Sequence, residues 1–104
     1  MNLTPTINYL NLEQNQEVNC LIKQHLNQLE AVCHSIKNCY VAIENARDYQ
    51  KSGTSYRVTL HLSVDPNYEF LVVRNPDYAQ EYESWESLIK DVFTEAQDQI
   101  IELI

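Results

Sequence analysis

The sequence predicts an α+β fold, a two-layer β-α-β-β-β-α sandwich in which a four-stranded mixed sheet carries both helices on one face. Three observations predict it. Apolar residues recur with a period of two in three short stretches, fill both faces of a fourth, and fall at helical spacing in two longer ones. The stretches run in the order strand, helix, three strands, helix, and a strand–helix–strand start calls for a right-handed parallel crossover. Each helix shows one apolar stripe, and two such stripes are most economically covered by a single sheet face.

The first strand is read from Thr6 to Leu10, where Ile7 and Tyr9 fall on one side and Asn8 on the other. From about Asn15 the period lengthens: Val18, Leu21, Ile22, His25, Leu29, Val32 and Cys33 form one stripe. Asn15 is the expected N-cap, Glu17 suits the positive end of the helix dipole, and the helix is expected to end near His34 to Ser35. Cys39, Val41 and Ile43 alternate with Tyr40, Ala42 and Glu44 as a second strand. A polar stretch from Asn45 to Thr54 holds the chain's one glycine, Gly53, where a positive-φ turn into the next strand is expected.

Tyr56, Val58, Leu60, Leu62 and Val64 alternate with Arg57, Thr59, His61 and Ser63, the clearest strand pattern in the chain. Asp65-Pro66-Asn67 is turn chemistry. Tyr68 to Arg74 reads as a fourth strand with two apolar faces, so the pattern leaves open which set faces the core. Asn75-Pro76-Asp77 ends it, an acidic loop with tyrosines runs to Glu83, and Ser84 offers an N-cap. Trp85, Leu88, Ile89, Val92, Phe93, Ala96, Ile100 and Leu103 then hold a helical stripe. The sheet face away from the helices is expected to carry Tyr40, Ala42, Glu44, Arg57, Thr59, His61 and Ser63, polar enough to meet solvent or a partner.

A chain of 104 residues fits one domain, residues 1–104, with one core. No run of about 18 apolar residues exists, so a membrane span is excluded. The first 15 residues lack the basic-then-apolar order of a secretory signal. Three irregularly spaced cysteines argue against a disulfide framework and for a reducing cytoplasm. The formal net charge is −8, but residues 1–76 carry only −1 of it and residues 77–104 carry −7. An acidic balance disfavours non-specific phosphate binding without forbidding a local basic patch.

The sequence holds no catalytic signature. Nucleophile elbows, zinc-protease helices and glycine-rich phosphate loops are absent, and one glycine cannot build a dinucleotide turn. His25, Cys33, His34 and Cys39 lack the paired spacing of a structural zinc site; Cys33 and Cys39 read as small buried hydrophobes. No metal, cofactor or enzymatic activity is expected. The cations are Lys23, Lys37, Arg47, Lys51, Arg57, Arg74 and Lys90. Arg47 and Lys51 share the loop between strands two and three, Arg57 begins the open face, and Tyr40, Tyr56 and Phe70 lie on nearby strands. Such a set is able to grip RNA by phosphate contacts and stacking, with scattered surface charge as the default explanation.

Taken in order, these segments resemble the ribosome hibernation-promoting factors, also called the ribosome-associated inhibitor or sigma-54 modulation family. Ile7-Asn8-Tyr9-Leu10-Asn11-Leu12-Glu13 is similar to the family's opening strand and its I-x-x-[RK]-N-[ML] pattern. Leu29-Glu30 sits like its K-L-E, and Cys39 to Glu44 resembles its second strand. Gly53 to Val58 is similar to its G-x-x-[YH]-x-V, and Arg74-Asn75-Pro76 to its R-[DE]-P. Glu83 to Phe93 is close to E-D-[VM]-Y-x-A-I-R-D-A-F.

The resemblance implies a fold like that of double-stranded-RNA-binding domains, and a role in translation regulation and ribosome hibernation under stress. It implies the small ribosomal subunit and its 16S rRNA as partners, with the protein lying in the decoding channel and no catalysis. Under it Lys23, Arg47, Lys51, Arg57, Arg74 and Lys90 are the expected phosphate contacts, with Tyr40 and His61 as the RNA-stacking groups. The chain ends before the second domain through which long members pair ribosomes, so a short member is expected. Gln28, Ala31 and Ser35 stand where the family's first helix commonly has positive charge, and Gln97 to Glu102 where basic residues often follow. This thinning raises an alternative: an acidic paralogue without rRNA binding, acting as a protein-interaction or regulatory module that meets a basic protein through its Asp77–Glu102 surface.

Overall fold

In the computed structural model the described residues are 3–10, 12–45, 56–74 and 85–103. Elements follow in the expected order: β1 (Thr6–Leu10), α1 (Gln16–Val32), β2 (Ile36–Asn45), β3 (Tyr56–Val64), β4 (Tyr68–Arg74) and α2 (Trp85–Leu103). The sheet order is β1-β2-β3-β4. β1 runs parallel to β2, as the crossover through α1 requires, and the other two pairings are antiparallel. The fold is the mixed-sheet α+β sandwich that the periodicities predict.

The side-chain alternation decides what each strand buries. Cys39, Val41 and Ile43 on β2 and Val58, Leu60, Leu62 and Val64 on β3 turn inward, where the helices cover them. β4 takes its phase from β3: Leu62 pairs with Phe70 and Leu60 with Val72, so Phe70 and Val72 are buried. Leu71 and Val73 therefore face away from the core, and the ambiguity of the fourth strand is resolved by register.

On α1 the buried residues are Val18, Ile22, Leu26 and Leu29, followed by Cys33 just past the helix. The sequence stripe omitted Leu26, which lies four residues after Ile22 and three before Leu29, and is fully buried. It included Val32, which is 44% exposed. Asn15 caps the helix as expected, its Oδ1 accepting from the N–H groups of Glu17 at 2.9 Å and Val18 at 3.3 Å. The helix stops at Val32, shorter than expected, because Cys33 is already extended while its N–H still donates to the Leu29 carbonyl.

On α2, Leu88, Ile89, Val92, Phe93, Ala96 and Ile100 are buried, and Leu103 is exposed. The expected N-cap Ser84 and the turn at Gly53 lie outside the described residues. Asp65, Pro66 and Asn67 form the β3–β4 turn, and the Asp65–Pro66 peptide is cis.

A register shift between Ile36 and Asn38 makes Lys37 an extra residue in β2. This bulge lets both Ile36 and Cys39 reach the core although they are three positions apart, a spacing that regular alternation would put on opposite faces. It also aims Lys37 at the turn, where its Nζ lies 3.4 Å from Asp65 Oδ1 and donates to the Pro66 carbonyl at 3.4 Å.

Candidate nucleic-acid interface

The sheet face opposite the helices is built by register. Thr6, Tyr40, His61 and Leu71 stand side by side across the four strands, and Asn8, Ala42, Thr59 and Val73 form the next row. Asn8 Nδ2 donates to the Tyr40 hydroxyl at 3.2 Å, which holds the phenol over the face. His61 Nε2 lies 3.7 Å from Glu69 Oε1. One row beyond Thr59, Arg57 Nη1 donates to Glu44 Oε2 at 3.3 Å, its direct cross-strand neighbour. Two of the expected stacking groups, Tyr40 and His61, are thus adjacent, with Arg57 on the same face.

The other cations sit elsewhere. Arg74 has the inward parity of Phe70 and Val72 but stands at the end of β4, and its Nη2 lies 3.6 Å from Asp91 Oδ2 on α2. Lys23 is exposed on α1, about 160° around the helix from His25, the residue that meets α2. Lys90 is exposed on α2 near His25, whose pKa it helps to lower. Arg47 and Lys51 lie outside the described residues. The described members of the predicted set therefore occupy the open sheet face, the β4–α2 edge and two separate parts of the helix layer.

Where the helices meet, the His25 and Phe93 rings stack with centroids 5.6 Å apart and 17° between planes. Burial pushes the His25 pKa down, Lys90 adds to this, and Glu86 opposes it. Burial pushes the Cys39 thiol up to about 12, with Glu30 contributing. Cys33 is buried as well and Cys20 is exposed; all three thiols are free. The Tyr9 hydroxyl approaches Asn19 Oδ1 at 2.7 Å and the Asn15 carbonyl at 3.0 Å, tying β1 to the start of α1. Burial raises its pKa, partly offset by a backbone hydrogen bond of Asn15.

Among the described residues no three His, Cys, Asp or Glu side chains are grouped to hold a metal ion, and no helix is long and apolar enough to cross a membrane. A shallow recess beside the β2 bulge is lined by Lys37, Asn38, Ser63, Asn67, Tyr68 and Glu69, a polar set without a nucleophile–base pair. The sequence reading did not assign Leu71 and Val73 to the open face. The periodicity of β4 carries no signal for that; only its pairing with β3 does.

No protein-family profile matches the sequence, and no curated protein is similar to it in sequence. Solved structures do match in shape. The Protein Y N-terminal domain from Thermus thermophilus superposes with a TM-score of 0.70 over 100% of both chains, at 14% identity. A ribosomal subunit interface protein from Coxiella burnetii gives a TM-score of 0.68 over 94% of this chain and 96% of its own, at 9% identity. The chain thus shares its fold with these two proteins over 100% and 94% of its length, on an almost wholly different sequence.

Proposed function

We propose that this chain is a ribosome-associated hibernation factor that docks on the small subunit, contacts 16S rRNA and occludes the decoding channel. The observation that carries the reading is the likeness in fold, over 94% and 100% of the chain, to a ribosomal subunit interface protein and to the Protein Y N-terminal domain. The ordered run of segments from Ile7 to Phe93 that resembles the hibernation factors agrees with it, although no family profile matches the sequence. The mechanism is steric: a rigid two-layer domain fills a channel that mRNA and tRNA need, with no bond made or broken and no cofactor. Its place of action is the cytoplasm.

Electrostatics sort the cations within this reading. Arg57 and Arg74 already face Glu44 and Asp91, which lowers what each gains from a phosphate. Lys23 and Lys90 are exposed on the helix layer and have no carboxylate within ion-pair distance among the described residues. With Arg47 and Lys51 they are the principal phosphate contacts, while Tyr40 and His61 remain the stacking pair. Phosphate contacts orient the domain, and the few cations make binding more dependent on shape than on charge.

A second reading rests on the same ion pairs. A protein that pairs Arg57 and Arg74 with its own carboxylates and exposes Glu86, Glu95, Asp98 and Glu102 along α2 is suited to a basic protein partner. Co-sedimentation with purified small subunits, at low and physiological salt, separates the two. The hibernation reading expects association that survives physiological salt, weakens after Lys23→Glu or Lys90→Glu, and inhibits translation in a reconstituted system. Absence of association even at low salt overturns it.

A further inference from the structure

We propose that the open sheet face is the docking surface for a second copy of this chain, forming a weak two-fold dimer with the helices outermost. The inference rests on the shape and charge of the face, and because the pair covers Tyr40 and His61 the dimer excludes their stacking on rRNA.

Two neighbouring rows of the face differ in size. Tyr40, His61 and Leu71 form a ridge across β2, β3 and β4, and Ala42, Thr59 and Val73 form a lower row beside it. A two-fold axis lying in the face between these rows, perpendicular to the strands, exchanges them. Each ridge then lies on the other copy's low row: Leu71 meets the partner's Val73, His61 the partner's Thr59, and Tyr40 the partner's Ala42. Large over small is how packed sheet faces interdigitate, and a two-fold makes both halves fit at once. Leu71 is 63% exposed and Val73 44%, so the apolar gain falls at β4.

Charge permits the approach here. Arg57 is matched by Glu44, and Glu69 beside the neutral His61 adds a single negative charge, so the described part of the face carries little of the chain's −8. The two-fold also brings the Arg57 end of one copy over the partner's Ser63, beside the partner's Glu69. The carboxylates of α2 lie behind the sheet, so in the pair they are separated by more than a Debye length of about 8 Å. Four strands at about 4.8 Å spacing give a face of about 20 by 20 Å, and a pair buries roughly 1,000–1,200 Å2 in total. That is the lower edge of specific interfaces and fits a reversible dimer with micromolar dissociation.

Sedimentation velocity of the full chain in physiological salt, from about 1 to about 500 μM, tests this directly. The expected result is a monomer-to-dimer shift with a micromolar midpoint. Leu71→Lys alone and Val73→Glu alone each place a charge in the seam, and each should weaken association at least tenfold (~). An equimolar mixture of the two variants should recover it, because one contact becomes a Lys–Glu pair and the other stays Leu71 on Val73. Both side chains face solvent in the monomer, and circular dichroism verifies that each variant keeps its fold. A monomer at every concentration, a dimer indifferent to either substitution, or a mixture that fails to recover overturns the proposal.

Discussion

His25 of α1 and Phe93 of α2 stack ring on ring at 5.6 Å, and this contact couples the helix layer to pH. Burial and Lys90 hold the His25 pKa below its ordinary value, so the folded state binds a proton less readily than the unfolded chain. Stability is therefore full when both states are neutral and falls as pH drops through the unfolded pKa, until the folded pKa is passed. Urea midpoints measured from about pH 7.5 to about pH 5 should decline, and His25→Phe should reduce that slope by removing the titration. An unchanged slope in the variant would show that the decline arises elsewhere.

Leu26 and Val32 lie six residues apart on α1 with opposite fates, the first fully buried and the second 44% exposed. Leu26→Ala should cost about 2–5 kcal/mol in urea unfolding, since it opens a cavity under the helix. Val32→Ala should change stability by less than about 0.5 kcal/mol. Equal costs at the two positions would contradict the described packing of the helix.

Arg74 and Asp91 are both partly exposed, and their 3.6 Å pair is a surface one. Asp91→Asn should lower stability by less than about 1 kcal/mol, with the difference shrinking as salt rises. By removing a negative charge beside Arg74, the same change should strengthen low-salt association with small subunits. Unfolding curves and co-sedimentation measure the two effects separately.

Cys20 is exposed, whereas Cys33 and Cys39 are buried and the Cys39 thiol is pushed up to about 12. At about pH 8 a thiol reagent should label Cys20 quickly and the other two only as the protein opens. Mass spectrometry of labelled peptides over time distinguishes this from simultaneous labelling of all three, which would contradict a closed core.

Much of the fold was legible because one face of each element is apolar and the other is not. The alternation from Tyr56 to Val64 marked its strand, and the burial of Val58, Leu60, Leu62 and Val64, without help from tertiary structure. Leu71 and Val73 show where such reading stops: they are as apolar as Phe70 and Val72, and only pairing with β3 decides which pair faces the helices. The Lys37 bulge was equally silent, since an inserted residue changes phase without changing composition. The candidate site was read less completely. Charge counts located the cations, but Glu44 meets Arg57 across 13 residues, and Asp91 meets Arg74 across an inter-element contact that no local pattern announces.

Chemical footprinting of 16S rRNA on purified small subunits, with the protein bound at physiological salt, tests the functional reading most directly. The hibernation reading predicts protection in the decoding channel and loss of that protection with Lys23→Glu. Protection confined to other sites, or none at saturating protein, would contradict it.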